Sequence, residues 1–241
     1  MKRLIDLILS LAILLILSPL LFIVMILVWL QDFHSPFYIA PRTSKGDGTF
    51  KMIKFRSMII KADQTGVDST SDNDNRITPI GKFIRKIKLD EISQLWNVLK
   101  GDMSLVGPRP NVKNETDLYT KIEKKLLSVT PGITDFSSII FSDEGDILSE
   151  SMDPDLDYNQ LIRPWKSRLG LIYIENQNFI LDLKIMIFTA ISFFNREKTL
   201  QLIVHELKKI NVDSEVIEVA SRVKPLMPKA PPGQVDIVTK R

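Results

Sequence analysis

An apolar segment near the N-terminus constrains the fold of this chain more than any other feature of its sequence. Residues 4–30 read LIDLILSLAILLILSPLLFIVMILVWL and follow Lys2 and Arg3. About 20 apolar residues suffice to span a bilayer, whereas a cleavable signal peptide has a core of roughly 7–15 residues and a small-residue cleavage site. The segment is too long for a signal peptide, so we predict that it stays in the mature protein and anchors it in a membrane.

A proline at the middle of this segment allows two topologies. Within Ser18-Pro19 the proline has no backbone amide hydrogen, so a helix should kink or break at that point. A spanning helix would put Lys2 and Arg3 on one side of the membrane and the basic residues of the 42–61 stretch on the other. A re-entrant helix, which enters and leaves by the same leaflet, would keep both basic flanks in the cytoplasm. The residues alone leave both topologies open.

Charge and composition narrow the range of partners. The 241 residues include 32 basic and 29 acidic residues and no cysteine. Balanced charge argues against wholesale polyanion binding, so no nucleic-acid partner is expected, and disulfides and thiolate chemistry are excluded. Residues 42–61 and 76–88 are locally basic, whereas residues 135–157 hold eight acidic residues and no basic one. Basic stretches beside an apolar segment favour an anionic small ligand or a lipid surface.

The rest of the pattern predicts a helix-rich α+β fold. Apolar runs at 37–40 and 49–55 flank Gly46-Asp47-Gly48, which is typical of a β-hairpin with a glycine turn. Apolar periodicity predicts helical structure at residues 80–99, 111–128, 179–194 and 196–210. The remaining regions are expected to be a polar loop at 64–76, a loop-rich stretch at 135–157 and a disordered proline-rich tail from Pro225.

Two adjacent carboxylates interrupt the periodic pattern. Apolar residues recur at helical spacing from Ile80 to Ile87, and extending their face by one turn reaches Asp90 and Glu91. A buried carboxylate without a partner is costly, so each acid needs a cation, a metal or a cleft. Two arrangements without any function would also meet that need: structural salt bridges to Arg85, Lys86 or Lys88, or a helix junction at which both acids turn to water.

Other residues around the pair are suited to a phosphorylated ligand. Gly-Pro-Arg-Pro at 107–110 combines a stiff loop with Arg109, whose planar guanidinium can bind phosphate through two nitrogens. Lys54 and Arg56 add two cations at the end of the second predicted strand. Adjacent carboxylates suit Mg²⁺, which takes few carboxylates and completes its shell with substrate phosphates. The two acids could also divide the work, one attacking phosphorus and the other orienting a metal or proton.

The order of these motifs resembles one known family. KFRSM (54–58), RITPIGKFIRKIKLDEISQLWNVLKGDMSLVGPRP (76–110), PGIT (131–134) and LDLKIM (181–186) follow a membrane segment with Lys-Arg and Ser-Pro. Over roughly residues 1–195 this arrangement resembles the bacterial sugar transferases, the monotopic phosphoglycosyl transferases that start glycan assembly on polyprenol phosphate. The ordered set is far more specific than any single motif.

The resemblance implies an organisation and a location. The protein would lie in the bacterial inner membrane, with its catalytic domain on the cytoplasmic face and Lys2 and Arg3 helping to anchor the N-terminus. The oligomeric state is left open, a homo-oligomer included. Three regions are implied: a re-entrant membrane helix broken at Ser18-Pro19 (1–32), a catalytic domain with a small hairpin and interfacial amphipathic helices (33–195), and a C-terminal helix and tail (196–241).

The resemblance also implies a reaction. Asp90 would attack the sugar-linked phosphate of a nucleoside-diphosphate sugar, normally a UDP-sugar, releasing UMP and leaving a phosphosugar-aspartate intermediate. Polyprenol phosphate would then attack this intermediate and give polyprenyl-diphospho-sugar. Glu91 would assist through proton transfer or through Mg²⁺, with both acids as the metal ligands. The implied phosphate and nucleotide contacts are Arg109, Pro108, Lys54, Arg56 and Arg85.

Three places depart from the family pattern. Ala40-Pro41-Arg42 replaces a Gln-x-Arg with glycines, DFSSIIFS at 135–142 replaces Gly-Trp-Ala-Gln-Val-Asn-Gly-Arg, and Gly170 stands where the family has an aspartate. These differences concern the sugar and nucleotide pocket, so the sequence does not name the sugar. As a hypothesis, Asp143 or Glu144 replaces the missing acid.

Two rival classes remain open on the residues alone. One is a non-catalytic membrane-anchored module that binds anionic lipid, and the other is a metal-dependent phosphohydrolase acting through an aspartyl phosphate. His34 and His205 have no partners at ligand spacing and are expected to be ordinary surface or packing residues. Trp29 is expected to be an interfacial anchor, and Trp96 a core residue.

Overall fold

The computed structural model describes residues 1–62 and 74–239, and most of the predicted polar loop at 64–76 lies outside these ranges. The fold is helix-rich α+β, as predicted. Its helices and strands are α1 (Lys2–Leu30), β1 (Phe37–Thr43), β2 (Thr49–Phe55), α2 (Pro79–Lys86), α3 (Leu89–Ile92), α4 (Leu95–Lys100), β3 (Ser104–Val106), α5 (Lys113–Asp117), β4 (Gly132–Thr134), α6 (Phe136–Ile140), α7 (Glu144–Ile147), α8 (Pro154–Asp157), α9 (Arg163–Asn176), α10 (Phe179–Ser192), α11 (Arg196–Lys209) and α12 (Ser214–Ser221).

Helix α1 is long and apolar enough to cross a membrane, with a mean hydropathy of 3.2 in its most apolar window. The expected break at Ser18-Pro19 is wrong, because Pro19 lies inside a helix that continues from Lys2 to Leu30. Proline has no amide hydrogen to give to the carbonyl of Leu15, and the Ser18 hydroxyl donates to that oxygen at 2.8 Å instead. The Ser-Pro pair therefore removes one backbone hydrogen bond and replaces it with a side-chain bond.

The N-terminal end of α1 is fixed to the interior of the domain through Lys2. The Lys2 ammonium pairs with Asp182 of α10 at 2.6 Å. It also donates to the backbone oxygen of Val106 at 2.9 Å and to the Tyr173 hydroxyl at 3.0 Å. Because Val106 is the last residue of β3, this contact ties the membrane segment to the strand that precedes the Gly-Pro-Arg-Pro loop.

Two further side chains of the first turns of α1 fasten the same end. Arg3 donates to the carbonyl oxygens of Val98 and Leu99, which lie at the end of α4 and lack helical donors. The buried carboxylate of Asp6 accepts the backbone amide of Leu105 in β3 at 3.1 Å. The apolar helix and the small parallel sheet are thus joined by hydrogen bonds as well as by packing.

The C-terminal end of α1 is held by Arg56, which was predicted to bind phosphate. The Arg56 guanidinium pairs with Asp32, and its Nε donates to the backbone oxygen of Ser35 at 2.9 Å. This pairing lowers the pKa of Asp32 to about 2, although burial opposes the shift. Arg56 therefore fastens the segment after α1 to the end of β2 and has a structural role.

Strands β1 and β2 form the predicted antiparallel hairpin, in which Tyr38 pairs with Lys54 and Thr43 pairs with Thr49. The first strand continues three residues beyond the predicted end at residue 40. The turn contains Gly46 with φ of +74°, a left-handed conformation that glycine adopts without steric cost.

The prediction of helical structure running through residues 80–99 is wrong at Lys88, where the helix is interrupted. Lys88 adopts a left-handed conformation with φ of +54° and separates α2 from α3. The helical face therefore changes direction before Asp90 and Glu91, so the two acids lie at a helix junction and not on a continuation of the apolar face of α2. Trp96, predicted in the core, is 55% exposed. Gly101 ends α4 with φ of +95°, as predicted.

Residues 111–128 also differ from the prediction of one helix. They form the short helix α5 and a separate 3₁₀ segment at Glu123–Ser128. PGIT enters β4, which pairs in parallel with β3. The two strands approach closely at Gly107 and Gly132, where a Cβ on Gly132 would lie 2.1 Å from the Gly107 nitrogen.

The C-terminal half surrounds these sheets with helices. The stretch 135–157, expected to be loop-rich, contains the short helices α6, α7 and α8, while α10 and α11 lie close to their predicted positions. Buried residues of α11 and α12 belong to the same apolar cluster as those of α6, α9 and α10.

The tail from Pro225 was predicted to be disordered, and this is wrong for the part that the structure describes. Its backbone oxygens accept hydrogen bonds from the domain: Thr120 donates to Pro232, Arg168 to Ala230 and Gln160 to Val238.

Replacing Arg56 with methionine should destabilise the fold, because Asp32 and the carbonyl of Ser35 lose their partner. Asp32 is 29% exposed, so water partly compensates and the expected cost is about 2 kcal/mol. Thermal unfolding in detergent micelles measures the effect. Lys100→Met, which removes an exposed ion pair with Asp102, should cost less than about 0.5 kcal/mol. Equal melting temperatures for the two variants would contradict the anchoring role of Arg56.

Candidate active site

The two acids lie at the start of α3, directly after the left-handed residue Lys88. Leu89 is buried in a small apolar cluster with Val24 of α1 and with Phe55 of β2. Asp90 and Glu91 are only half-buried. The buried Leu89 fixes the short helix against the base of α1, and the two carboxylates beside it remain accessible.

Arg109 closes one side of this pair. Its guanidinium contacts the Glu91 carboxylate at 2.7 Å and donates to the backbone oxygen of Ile133 at 3.2 Å. The loop that carries Arg109 is fixed at the close approach of Gly107 and Gly132 described above. The guanidinium and the Glu91 carboxylate are both about one quarter exposed, so both remain available to a ligand.

Two polar side chains that were not predicted fix the opposite side of the site. Ser93 donates to the backbone oxygens of Ile53 and Asp90, at 3.2 and 2.9 Å. Asn97 accepts the amide of Ile53 at 2.9 Å and donates to the carbonyl of Lys51 at 2.7 Å. These bonds occupy the edge of β2 and hold that strand beside α3. Polar residues four positions apart in an apolar helical stretch are the sequence signal that could have found them.

The charges of the site influence each other strongly. Burial raises the pKa of Asp90, and the neighbouring Glu91 adds to this rise while Lys54 opposes it. For Glu91 burial acts in the same direction, but the charges of Arg109 and Lys54 outweigh it, and its pKa falls. The two adjacent acids thus have different proton affinities, which is a frequent feature of catalytic pairs.

The cations of the site are shifted as well. Burial and the positive charge of Arg109 lower the pKa of Lys54 to about 8, although Asp90 and Glu91 oppose the shift. The pKa of Arg109 rises, mainly through Glu91, with burial acting against this and Asp90 and Glu144 adding to it. Lys54 and Arg109 therefore both supply positive charge that acts on the carboxylates.

The remaining predicted contacts are distributed differently. Arg85, at the end of α2, acts on Asp90 through its charge and lowers the pKa of that acid. Pro108 is buried and stiffens the loop before Arg109. Arg56 lies at the end of α1, paired with Asp32, and is not brought to the acids. Glu91 and Arg109 are thus in direct contact beside Asp90, and Lys54 and Arg85 lie close enough for their charges to act on Asp90.

One departure from the family pattern, Gly170, has a structural explanation, and the structure also gives a role to Asp143, one of the two acids suggested as a replacement. At Gly170 a Cβ would lie 2.8 Å from the Leu126 side chain and 3.7 Å from Pro108, so α9 packs tightly on the loop that carries Arg109. Asp143 is paired with Arg196 and Arg222, which leaves it in a structural role.

The donor set of the pair fits a Mg²⁺ ion. Two adjacent carboxylates are half-buried, and within the described ranges no side chain donates a hydrogen bond to Asp90. No group of three or more acidic, histidine or cysteine side chains comes together in those ranges. A metal held here would therefore need water and ligand oxygens to complete its shell, which is how Mg²⁺ is commonly held with phosphates.

Both histidines, His34 and His205, are exposed, as expected for ordinary surface residues.

Two adjacent carboxylates at the start of α3, one of them paired with Arg109, lie beside the apolar helix α1 and form a candidate site for a phosphorylated ligand. The bacterial sugar transferase model matches residues 1–196. The chain belongs to the bacterial sugar transferase family, a family of membrane-associated bacterial enzymes.

Three relatives give this result more detail. The chain is 34% identical to the UDP-glucose:undecaprenyl-phosphate glucose-1-phosphate transferase of Klebsiella pneumoniae, over 80% of this chain and 40% of the relative. It is 34% identical to a UDP-N-acetylgalactosamine-undecaprenyl-phosphate N-acetylgalactosaminephosphotransferase of Aeromonas hydrophila, over 58% and 34%. The exopolysaccharide production protein ExoY of Sinorhizobium fredii is 36% identical, over 55% and 66%. The chain thus spans between one third and two thirds of these proteins.

Replacing Asp90 with asparagine should raise the melting temperature at pH 7. A raised pKa means that the fold disfavours the ionised form, and the neutral amide removes that cost. The advantage over the unchanged protein should shrink as the pH falls toward the usual carboxyl value, because Asp90 then takes up its proton. Thermal unfolding across pH tests this, with the exposed Asp117→Asn as the matched control. A lower melting temperature for Asp90→Asn at pH 7 would refute the electrostatic argument.

Proposed function

We propose that this protein transfers a sugar-1-phosphate from a UDP-sugar to polyprenol phosphate, giving polyprenyl-diphospho-sugar and UMP. The observation that carries the proposal is the Asp90–Glu91 pair with Arg109 and Lys54 around it, in a chain of the bacterial sugar transferase family. The relatives in Klebsiella and Aeromonas are named for UDP-sugar donors and undecaprenyl phosphate. Their names contain different sugars, so the proposal extends to the class of donor only.

In the proposed reaction Asp90 is the nucleophile. A carboxylate oxygen forms a bond to the sugar-linked phosphorus, the bond from that phosphorus to the UMP oxygen breaks, and UMP leaves with the electron pair. A phosphate oxygen of the lipid then attacks the same phosphorus and frees Asp90. Both steps need positioned cations more than bond-forming side chains.

The surrounding groups provide this positioning. Arg109 is held in place by Glu91 and by the Ile133 carbonyl, and its outer nitrogens can contact the diphosphate. Lys54 adds positive charge that acts on both acids, and hydrogen bonds from Ser93 and Asn97 to neighbouring residues hold its strand in place. Mg²⁺, held by Asp90 and Glu91, would supply further charge neutralisation for the departing phosphate.

The same proposal includes a re-entrant topology with the catalytic domain on the cytoplasmic face. The supporting observation is that both ends of α1 contact one domain, through Lys2 at the start and through Val28 and Asp32 at the end. Exposed apolar side chains on α2, α4 and α10 favour contact of these helices with the lipid surface, including Phe83, Trp96, Ile180, Leu183 and Ile187.

Asp90→Asn should abolish UMP release, since an amide cannot act as the nucleophile. The assay incubates membranes or purified protein with a panel of UDP-sugars and polyprenol phosphate and records which donors release UMP. The unchanged protein with radiolabelled donor and no lipid should retain sugar phosphate covalently, and Asp90→Asn should retain none. Asp117→Asn serves as the control and should retain both activities.

The same assay separates the rival classes. Free sugar phosphate released without any lipid acceptor would indicate a phosphohydrolase. Lipid binding without UMP release from any donor would indicate a non-catalytic anchor module. Full activity in Asp90→Asn would rule out the aspartate intermediate.

The topology has an independent test that uses the absence of cysteine from the sequence. One cysteine is added before Met1, and another replaces Lys45 in a separate variant. A membrane-impermeant maleimide should label neither position in intact cells and both in inverted membrane vesicles. Labelling of the two positions from opposite sides would exclude the re-entrant helix.

A further inference from the structure

Lys88, the residue that separates α2 from α3, has an unusual backbone conformation. Its φ of +54° is left-handed, and this conformation costs a residue with a side chain more than it costs glycine. Strain of this kind is often kept at functional sites, where the surrounding structure imposes it. Because glycine would fit the junction at lower cost, the presence of a lysine indicates that its side chain has a role there.

The backbone of Lys88 belongs to the turn that carries the two acids. Its amide donates to the carbonyl of Arg85 at 3.0 Å, and its own carbonyl accepts the amide of Glu91 at 3.1 Å. Asp90 follows two residues later, so the Cα atoms of Lys88 and Asp90 are at most about 7 Å apart. Lys88 is therefore a direct neighbour of the proposed nucleophile, in a position that hydrogen bonds fix.

The ammonium group of Lys88 is available to an anionic ligand. It forms no ion pair with a carboxylate of residues 1–62 or 74–239, whereas Arg109 is paired with Glu91. The Lys88 Nζ lies over the ring of Phe193, 5.9 Å from the ring centroid, at the end of α10. This cation–π contact favours one position of the ammonium and does not neutralise its charge.

The surroundings of this ammonium are apolar and exposed. Phe193 and Phe194 are 56% and 93% exposed, and Ile87, directly before Lys88, is 39% exposed. Phe83, one turn earlier in α2, is exposed as well. A cation without a carboxylate partner, set among exposed apolar side chains, fits an amphiphile that has an anionic head and a hydrocarbon chain.

We propose that Lys88 binds the phosphate of the lipid acceptor, while Phe193 contacts the first part of its hydrocarbon chain. This inference rests on the proposed function. Polyprenol phosphate is the reactant of that function that joins a phosphate to a long apolar chain, whereas a UDP-sugar has no such chain. The combination of charge and apolar surface at Lys88 is therefore complementary to the acceptor and not to the donor.

Binding at Lys88 positions the acceptor for the second step of the reaction. A phosphate oxygen of the lipid forms a bond to the phosphorus that Asp90 holds, the bond from Asp90 to this phosphorus breaks, and the carboxylate leaves with the electron pair. The ammonium reduces the repulsion between the acceptor phosphate and the phosphosugar. The two substrates thus have different cations, Arg109 for the donor and Lys88 for the acceptor.

The test measures kcat/KM separately for the donor and for polyprenol phosphate, with purified full-length protein in phosphatidylcholine nanodiscs. When a covalent intermediate separates two steps, each value reports on its own step. Lys88→Met should lower kcat/KM for polyprenol phosphate about 10- to 100-fold, the loss expected for hydrogen bonds to a charged group. The value for the donor, and the sugar phosphate retained covalently without lipid, should stay within about twofold.

Three further variants make the comparison specific. Lys86→Met removes the same charge from an exposed position two residues earlier, and it should match the unchanged protein for both substrates. Phe193→Ala should lower kcat/KM for the acceptor about threefold, the loss expected for an exposed cation–π contact, without an effect on the donor. If Lys88→Met does not fold, Lys88→Gly, which suits the left-handed backbone, is judged by the same criteria.

An unchanged kcat/KM for the acceptor in Lys88→Met would overturn the proposal, and so would an equal loss for the donor or in Lys86→Met. No loss in Phe193→Ala would overturn the contact with the hydrocarbon chain. Nanodiscs that also contain phosphatidylglycerol should give the same ratio between variant and unchanged protein, and a loss confined to those discs would assign Lys88 to bilayer headgroups instead. Failure of the unchanged protein to release UMP from any donor would remove the proposed function itself, which is a distinguishable result.

Discussion

The ion pair between Lys2 and Asp182 is the contact on which the relation between the membrane segment and the candidate site depends. The same ammonium binds the carbonyl of Val106, and the chain leads from there directly to Arg109. A membrane helix attached only by a flexible linker would leave the site free to move relative to the lipid surface. Here the first turns of the helix are hydrogen-bonded to the small parallel sheet, so the position of α1 and the geometry of the candidate site are set together.

The site itself combines features that reduce stability with features that compensate. Two adjacent carboxylates are half-buried, and burial raises the pKa of Asp90 while Arg109 and Lys54 lower that of Glu91. Rigid backbone contacts from Ser93 and Asn97 and the close approach of Gly107 to Gly132 keep the opposing charges in place. The energetic cost of the acids is thus concentrated at one position where the surrounding elements are well fixed.

The sequence predicted features with local physical causes. The hairpin follows from its glycine turn, the stop at Gly101 follows from a left-handed cap, and helices α10 and α11 follow from apolar periodicity and capping.

The periodicity failed at Lys88, because a non-glycine residue in a left-handed conformation leaves no clear mark in the pattern. Arg56 was misplaced for a different reason, since its partner Asp32 is 24 residues away and an ion pair at that distance is not visible in residue spacing. The packing of the tail likewise depends on distant hydrogen bonds. Resemblance supplied the division of roles between Asp90 and Glu91, which periodicity could not.

The distance in sequence between Lys2 and Asp182 bears on how the molecule is made. The two residues are 180 positions apart, and Tyr173, whose hydroxyl also accepts a hydrogen bond from the Lys2 ammonium, is 171 positions from Lys2. During synthesis the apolar helix is complete long before its buried partners exist. The contacts of Lys2 can therefore form only after residues 173–182 have been synthesised. Contacts of such long range form slowly, so we expect the attachment of α1 to β3 and α10 to be a late step of folding.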